Sequence, residues 1–145
     1  MGYQAQVVCG NPILSSRFSV SIPHVETIIN LEMGAVLSFA SISGCKRVVK
    51  ILLKRNIQVN FVPPWIFDGG SPLILAAEKG HFEVVKLLIE KERILVNQVD
   101  NNGYSALMVA TRCGHLEVVK LLIEKEEIMM NQVNNKGYSA LMPAA

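Results

Sequence analysis

The sequence repeats itself with a period of 34 residues, and no other feature restricts its fold as strongly. The hexapeptide GYSALM occupies residues 103–108 and again residues 137–142. The similarity extends outward, since NQVDNNGYSALM at 97–108 matches NQVNNKGYSALM at 131–142 at ten of twelve positions. A period of this length is typical of repeat proteins, in which each repeat is one supersecondary unit.

A second pair of windows has the same period and a strongly apolar pattern. GHFEVVKLLIEK at 80–91 matches GHLEVVKLLIEK at 114–125 at eleven of twelve positions. On a helix, the apolar residues between 118 and 123 cover a wide arc and not one narrow stripe. Such a helix must be covered on more than one side, which predicts that neighbouring repeats stack against it.

Composition excludes several classes of protein. Half of the 145 residues are apolar, which argues against a disordered chain, and this length suffices for one domain. The 14 basic and 12 acidic residues form no block of one sign, so neither nucleic acid nor an anionic membrane is indicated as a partner. The longest uncharged apolar stretch in the middle of the chain, at 33–45, is too short to span a bilayer.

The cysteines indicate a reducing environment. Cys9, Cys45 and Cys113 lie far apart and form no C-x-x-C pair, so neither a disulfide framework nor a zinc site is expected. The first residues lack both the basic region of a signal peptide and the Ser or Thr of a myristoylation signal. We therefore expect a cytoplasmic protein, with the nucleus as the alternative, that uses no metal and no cofactor.

The repeat at 100–134 can be interpreted residue by residue. Asn102 and Gly103 predict a turn, because both residue types tolerate positive φ at little steric cost. Ser105 follows as a helix N-cap, and Gly114 is placed as the left-handed C-cap of the short helix ALMVATR. HLEVVKLLIEK then predicts a second helix. One repeat is therefore a turn followed by a pair of helices.

These segments resemble a known family of repeats. GYSALMVATRCGHLEVVKLLIEK is similar to an ankyrin repeat, and so is GGSPLILAAEKGHFEVVKLLIEK at 69–91. The family pattern has a turn with glycine, Thr-Pro-Leu-His, two alanines, Gly-His and a Glu-Val-Val-x-Leu-Leu helix. A weaker match, AVLSFASISGCKRVVKILLKRNIQVN, covers 35–60. Tetratricopeptide repeats share the 34-residue period, but they leave no room for the asparagine-rich segment at 126–137.

The resemblance implies an all-α repeat solenoid of stacked ankyrin helix-turn-helix units, joined by β-hairpin loops, with the last repeat incomplete. The expected organisation is an N-terminal segment without a recognisable pattern at 1–23 and a repeat domain at 24–145. That domain would contain a degenerate helix at 24–32, repeats at about 33–66, 67–100 and 101–134, and a partial repeat at 135–145.

The chain departs from the family pattern in several places. Ser38, Ile74, Met108 and Met142 stand where the family has the histidine of Thr-Pro-Leu-His. That histidine ties neighbouring repeats through hydrogen bonds, so apolar packing is expected to replace the contact. The connectors ERILVN and EEIMMN lack the family's glycine and are one residue longer, and the segment at 61–70 carries an insertion.

The repeat also explains the candidate catalytic groups. His-x-Glu occurs three times, twice at the repeat period with His81 and His115, but a zinc deaminase would also need Pro-Cys-x-x-Cys, which the sequence lacks. Gly69-Gly70 lacks the lysine and the spacing of a phosphate-binding P-loop. Both aspartates fall at turns, and Cys113 is expected to face solvent as an ordinary thiol. We therefore expect no enzymatic activity.

What remains is a protein-binding surface. The resemblance implies that a partner protein docks on the hairpin tips and the inner helices, with the chain acting as an interaction module or scaffold. Carried over position by position, the candidate contact residues are Trp65, Phe67, Asp68, Gly70, Glu78, Lys79, Asn101, Asn102, Tyr104, Arg112, Cys113, Asn135, Lys136 and Tyr138. The aromatic members are of most interest, because aromatic side chains dominate interface hot spots. Alternatively, Tyr104 and Tyr138 pad neighbouring hairpins against each other.

Two further expectations concern the last repeat. It stops at Ala145 without a second helix, whereas solenoids need capping repeats for solubility. The alternative is therefore a fragment of a longer multidomain protein, whose ankyrin array targets or regulates an enzymatic or membrane domain outside this chain. Leu141 and Met142 would lack a neighbouring repeat, which predicts a tendency to self-associate.

Overall fold

The fold consists of α-helices joined by short loops. A computed structural model describes residues 22–66 and 68–141, with side chains from residue 29 onward. The helices are α1 (Ile22–Ser43), α2 (Lys46–Leu53), α3 (Pro72–Lys79), α4 (Phe82–Ile89), α5 (Ala106–Cys113) and α6 (Leu116–Ile123). Within these described ranges no β-strand forms, so the class is all-α, as predicted.

Consecutive helices form three pairs that stack side by side. α1 pairs with α2, α3 with α4, and α5 with α6. The first helices pack in one row, α1 on α3 and α3 on α5, and the second helices α2, α4 and α6 pack in another. Leu37, Leu73 and Leu107 occupy the same position of successive first helices and are buried in the core. The predicted repeat solenoid is thereby confirmed.

Capping residues set the bounds of the short first helices. The hydroxyl of Ser71 accepts a hydrogen bond from the amide three residues on at 3.4 Å, and that of Ser105 does the same at 3.3 Å. Gly80 and Gly114 end α3 and α5 in the left-handed conformation, with φ of 74° and 76°. Both caps predicted for the repeat at 100–134 are confirmed.

The first helix is longer than the sequence indicated. The degenerate helix expected at 24–32 and the first helix of the next repeat form one continuous helix, α1. Ala35 occupies the position that Ser71 and Ser105 have in later repeats, and alanine is a poor cap but the best helix former. Nothing therefore separates the two segments. The N-terminal segment expected at 1–23 lies outside the described residues except for its last two.

The loops between repeats contain less β-structure than expected. The predicted hairpins are reduced to single antiparallel bridges, Val99 with Ser105 and Val133 with Ser139. Backbone groups next to these bridges bond to the neighbouring repeat instead, as the amide of Asn101 does. Backbone groups that could extend each hairpin thus form hydrogen bonds between successive repeats instead.

The positions that replace the family's histidine behave in different ways. Ile74 and Met108 are buried in the core, as the expected apolar packing requires. Ser38 is buried too, but its hydroxyl donates to the carbonyl of Gly34 at 3.2 Å within α1. At this position the expected apolar packing is therefore replaced by a hydrogen bond inside the helix. Met142 lies outside the described residues.

Candidate protein-binding surface

The side chains of Asp100 and Asn134 stabilise the turns at the hairpin tips. The Oδ1 atom of Asp100 accepts hydrogen bonds from the backbone amides of Asn102 and Tyr104, both at 2.9 Å. Asn134 holds the equivalent two amides of the next repeat at the same distances. Such a bond between an Asx side chain and the backbone two residues on stabilises a turn. This role was not predicted from the sequence, although an Asp or Asn stands three residues before the turn glycine in both repeats.

Successive tips are joined by backbone hydrogen bonds. The amide of Asn101 donates to the carbonyl of Asp68 at 2.8 Å, and the amide of Asn135 donates to the carbonyl of Asn102 at 3.0 Å. The side-chain amide of Asn135 donates in addition to the carbonyl of Asn101 at 3.0 Å. The candidate tip residues from three consecutive repeats therefore form one connected row, and their exposed side chains are held on a common scaffold.

The end of α5 meets the hairpin that precedes it. The guanidinium of Arg112 lies over the ring of Tyr104, 4.5 Å from the ring centroid, which is a cation–π contact. Partial burial disfavours the charged guanidinium, but its contacts with Tyr104 and Cys113 outweigh burial and raise the pKa of Arg112. Tyr104 is partly buried and also packs against the core. Its ring therefore connects the exposed guanidinium of Arg112 to the core.

The remaining candidates differ in exposure. Trp65 and Tyr138 expose 59% and 56% of their surface, while the thiol of Cys113 is exposed as expected. Lys79 is exposed and Glu78 half-buried. Gly70 is buried, and a Cβ there would lie 3.2 Å from a methyl group of Leu75, so this glycine is not available for contact. Phe67 lies outside the described residues.

The structure brings these candidates together in two groups. The tip group is joined through the hydrogen bonds between Asp68, Asn101, Asn102 and Asn135, and the stacked Tyr104 and Arg112 form the second group beside Cys113. Trp65 and Lys79 take part in none of these contacts. We use the name tip-and-helix surface for the exposed residues of both groups together with two further exposed residues of the last tip. Its members are Asp68, Asn101, Asn102, Arg112, Cys113, Asn135, Lys136 and Tyr138.

The histidines of the second helices hold neighbouring repeats together. The Nε2 atom of His81 lies 2.9 Å from the carbonyl oxygen of Ile42, and that of His115 lies 2.9 Å from the carbonyl oxygen of Glu78. The ring lies against the C-cap glycine of the preceding repeat: a Cβ at Gly80 would be 2.6 Å from the His115 ring. From the sequence, these histidines were predicted only to begin the second helices. The recurring Gly-His dipeptide was the signal for this contact, since the glycine makes room for the histidine of the next repeat.

The two side chains of the His81-x-Glu83 pair have different partners. Glu83 forms an ion pair with Lys46 of the preceding repeat at 3.4 Å, while His81 bonds to a backbone carbonyl. Among the described residues, no group of three or more His, Cys, Asp or Glu side chains could hold a metal ion. The helices of the described part of the chain also include none with the length and apolar character needed to cross a membrane.

Comparison with known protein families agrees with this geometry. A family model of ankyrin repeats, three copies long, matches residues 37–132 and also residues 94–145. Together the two matches cover well over half of the chain. No curated protein matches the sequence significantly.

Proposed function

Because the chain belongs to the ankyrin-repeat family, whose members are generally protein–protein interaction modules, we propose that it binds a partner protein through the tip-and-helix surface. The observation that carries this proposal is the stacking of Arg112 on Tyr104. Tyrosine and arginine are enriched among interface hot spots, and here they are presented together on a rigid support.

Rigidity is the mechanism of recognition in this proposal. A flexible loop loses conformational entropy when it is ordered by a partner, at roughly 0.5–1.5 kcal/mol for each immobilised long side chain. The tips of this chain are held by Asp100 and Asn134 and joined to each other through Asn101 and Asn135. The backbone of the tips is therefore ordered before the partner arrives, and only the exposed side chains remain to be ordered. This role requires no catalytic group in the chain itself.

Affinity capture with matched variants tests the proposal. The intact chain would be used as bait, and its specific partner would be measured for binding to Arg112→Ala and Tyr138→Ala. Lys86→Ala serves as the control, because Lys86 is exposed on α4 in the row of second helices. Hot-spot truncation costs about 2 kcal/mol or more, so Arg112→Ala should weaken binding by about thirtyfold. Tyr138→Ala should weaken it by a smaller factor.

The control variant decides whether the proposed surface is the correct one. Lys86→Ala should bind as the unchanged chain does. If Lys86→Ala lost the partner while Arg112→Ala and Tyr138→Ala retained it, the partner would bind the second-helix row and the proposed surface would be wrong. Circular dichroism of each variant would establish that the helices remain intact.

A second proposal concerns the C-terminal end of the described solenoid, which we call the apolar side. Leu116 exposes 68% and Leu141 70% of its surface, and Met129, Met130 and Val133 are exposed between them in the sequence. We propose that two copies associate through this apolar side, since exposed apolar residues favour association. The alternative prediction, that the array targets or regulates a domain outside this chain, stays a prediction.

Sedimentation velocity over a range of concentrations tests the association. We expect a dimer that becomes a monomer with Leu116→Lys, which places a charge in the apolar side. Leu95→Lys is the matched control, because Leu95 is 55% exposed in the connector of the preceding repeat. A monomeric unchanged chain at high concentration, or equal dissociation by both variants, would refute association through this side.

A further inference from the structure

A polar depression lies where the ends of α2 and α4 meet, away from the tip-and-helix surface. It has a volume of about 370 Å³ and is lined by the segment from residue 54 to 60, by Asn30 of α1 and by residues 91–93. This volume lies in the range of small-ligand sites, which is about 300–1,000 Å³. The depression is therefore large enough for a small ionic group but not for a folded element.

The lining of this depression is strongly basic. Four cations line it, Lys54, Arg55, Lys91 and Arg93, against the single carboxylate of Glu92. The local formal charge of +3 exceeds the charge of +2 for the entire chain. Within the described residues the ion pairs are Lys46 with Glu83 and Lys120 with Glu117, so none of the four cations is neutralised by one. A concave site of one sign concentrates ions of the other sign.

This basic character is specific to one place in the solenoid. The segments that follow the three second helices are KRNI at 54–57, EKER at 90–93 and EKEE at 124–127. Their formal charges are +2, zero and −2, so the potential changes sign along the stack. The repeat architecture requires a connector at each of these places but does not require a positive one. The fold therefore leaves the sign of the charge at the first junction free, and a positive charge there is available to bind an anion.

Arg93 gives a second, independent observation at the same site. It has φ of 66°, and it is the single residue other than glycine with positive φ in the described part of the chain. An L-residue in this conformation is disfavoured, whereas glycine would adopt it without strain. The chain thus tolerates backbone strain at a position where the arginine side chain lines the depression. Strain of this kind concentrates at functional sites.

We propose that this depression, the connector pocket, binds a phosphate group that carries more than one negative charge. Arginine guanidinium groups fit phosphate oxygens in pairs, and lysines add charge without demanding one geometry. Two arginines and two lysines with a local charge of +3 match a dianionic phosphate ester or a pyrophosphate better than a single carboxylate. The site is separate from the proposed partner surface, so either proposal can fail without the other.

Isothermal titration calorimetry with inorganic pyrophosphate at an ionic strength of about 0.15 M, where the Debye length is about 8 Å, tests this proposal. Arg93→Gly and Arg55→Gln each remove one cation from the connector pocket, and each should weaken binding by about tenfold or more, as expected for the loss of a charge-assisted hydrogen bond. Lys125→Gln is the matched control, because Lys125 stands at the connector position of Arg55 two repeats later and carries the same charge. It should change the affinity by less than about twofold, since exposed distant charges are screened.

Arg93→Gly separates binding from folding. Glycine suits the positive φ at this position, so the melting temperature should stay the same or rise while pyrophosphate affinity falls. No saturable pyrophosphate binding by the unchanged chain would overturn the proposal. So would equal weakening by Lys125→Gln, which would indicate a response to net charge alone, or citrate binding as tight as that of pyrophosphate, which would remove the preference for phosphate.

Two probes identify the source of the phosphate. A short peptide with one phosphoserine would be titrated beside the same peptide without phosphate and beside pyrophosphate. Tighter binding of the phosphopeptide than of pyrophosphate, lost in Arg93→Gly, would support a phosphorylated protein as the ligand. Binding of pyrophosphate with none of the phosphopeptide would support a small soluble phosphate compound.

Discussion

Helices α4 and α6 contain the same seven residues, EVVKLLI, but they bury them differently. Val85 is completely buried, whereas its equivalent Val119 is only partly buried. Ile89 is 5% exposed and its equivalent Ile123 is 46% exposed. The difference is one of neighbours: α4 packs between α2 and α6, while α6 packs on α4. Burial in this fold is therefore decided by the next repeat and not by the residues of the helix itself.

This difference has a thermodynamic meaning. In a solenoid, stability is approximately the sum of the stability of each repeat and of the interfaces between nearest neighbours. Over the seven residues that α4 and α6 share, the intrinsic helix propensity is the same, so a difference between equivalent substitutions at these positions reports the interface. The chain thus offers matched pairs in which the free energy of stacking can be measured separately from that of the helix.

The largest difference is expected between Ile89→Ala and Ile123→Ala. Truncation of a buried isoleucine to alanine costs about 2–5 kcal/mol of unfolding free energy, because it removes buried methyl groups and leaves a cavity. Ile123 is half exposed, so its truncation should cost less than about 1 kcal/mol. Urea unfolding followed by circular dichroism measures both. Equal losses in dilute solution would contradict the packing of α4 between two neighbours.

The C-cap glycines provide a second pair with a smaller expected difference. Gly80 and Gly114 have nearly the same φ, so alanine at either position meets the same backbone strain, roughly 1–2 kcal/mol. At Gly80 the new Cβ would also lie 2.6 Å from the ring of His115, whereas at Gly114 nothing lies within 4 Å. Gly80→Ala should therefore cost about 1–2 kcal/mol more than Gly114→Ala, because the displaced ring loses its hydrogen bond to Glu78.

A double variant tests the origin of that excess. When His115→Ala is combined with Gly80→Ala, the clash is absent, and the two changes should cost less together than the sum of their separate effects. Additive costs would mean that the glycine is required for φ alone. The contact between Gly-His dipeptides of successive repeats would then contribute nothing to stacking.

The sequence predicted the features that are encoded within one repeat. Ser105 and Gly114 were identifiable as caps because capping depends on residues only a few positions apart. The continuity of α1 was not predicted, because the missing cap at Ala35 was outweighed by the similarity of 24–32 to a second helix. Tyr104 and Tyr138 stand in identical hexapeptides, yet one is half-buried and the other exposed, so the hexapeptide alone does not decide their exposure.

The candidate surface follows the same division. The tip residues could be carried over by position, since each repeat places its own turn in the same way. The bonds that join the tips run between repeats, and a pattern read within one repeat contains no information about them. The connector pocket combines residues that are more than thirty positions apart in the sequence. It also includes Arg93, whose left-handed backbone was not predicted from its sequence neighbours.

The smallest difference is expected between Asn97→Ala and Asn131→Ala, which lie 34 residues apart in the connectors. The side chain of Asn97 donates to the carbonyl of Glu127 at 2.6 Å and accepts from the amide of Met129 at 2.8 Å. Asn131 is exposed. Loss of two partly solvated hydrogen bonds should cost about 1–2 kcal/mol at residue 97, and Asn131→Ala should change the unfolding free energy by less than about 0.5 kcal/mol.

Amide hydrogen exchange gives this last pair a local measurement. In Asn97→Ala the amide of Met129 loses its acceptor, so it should exchange faster while amides in the centre of α4 change little. The same acceleration in Asn131→Ala would mean that the connector opens as a unit regardless of which asparagine is removed. In that case the hydrogen bonds of Asn97 would not be what couples one connector to the next, and stacking would depend on the helices alone.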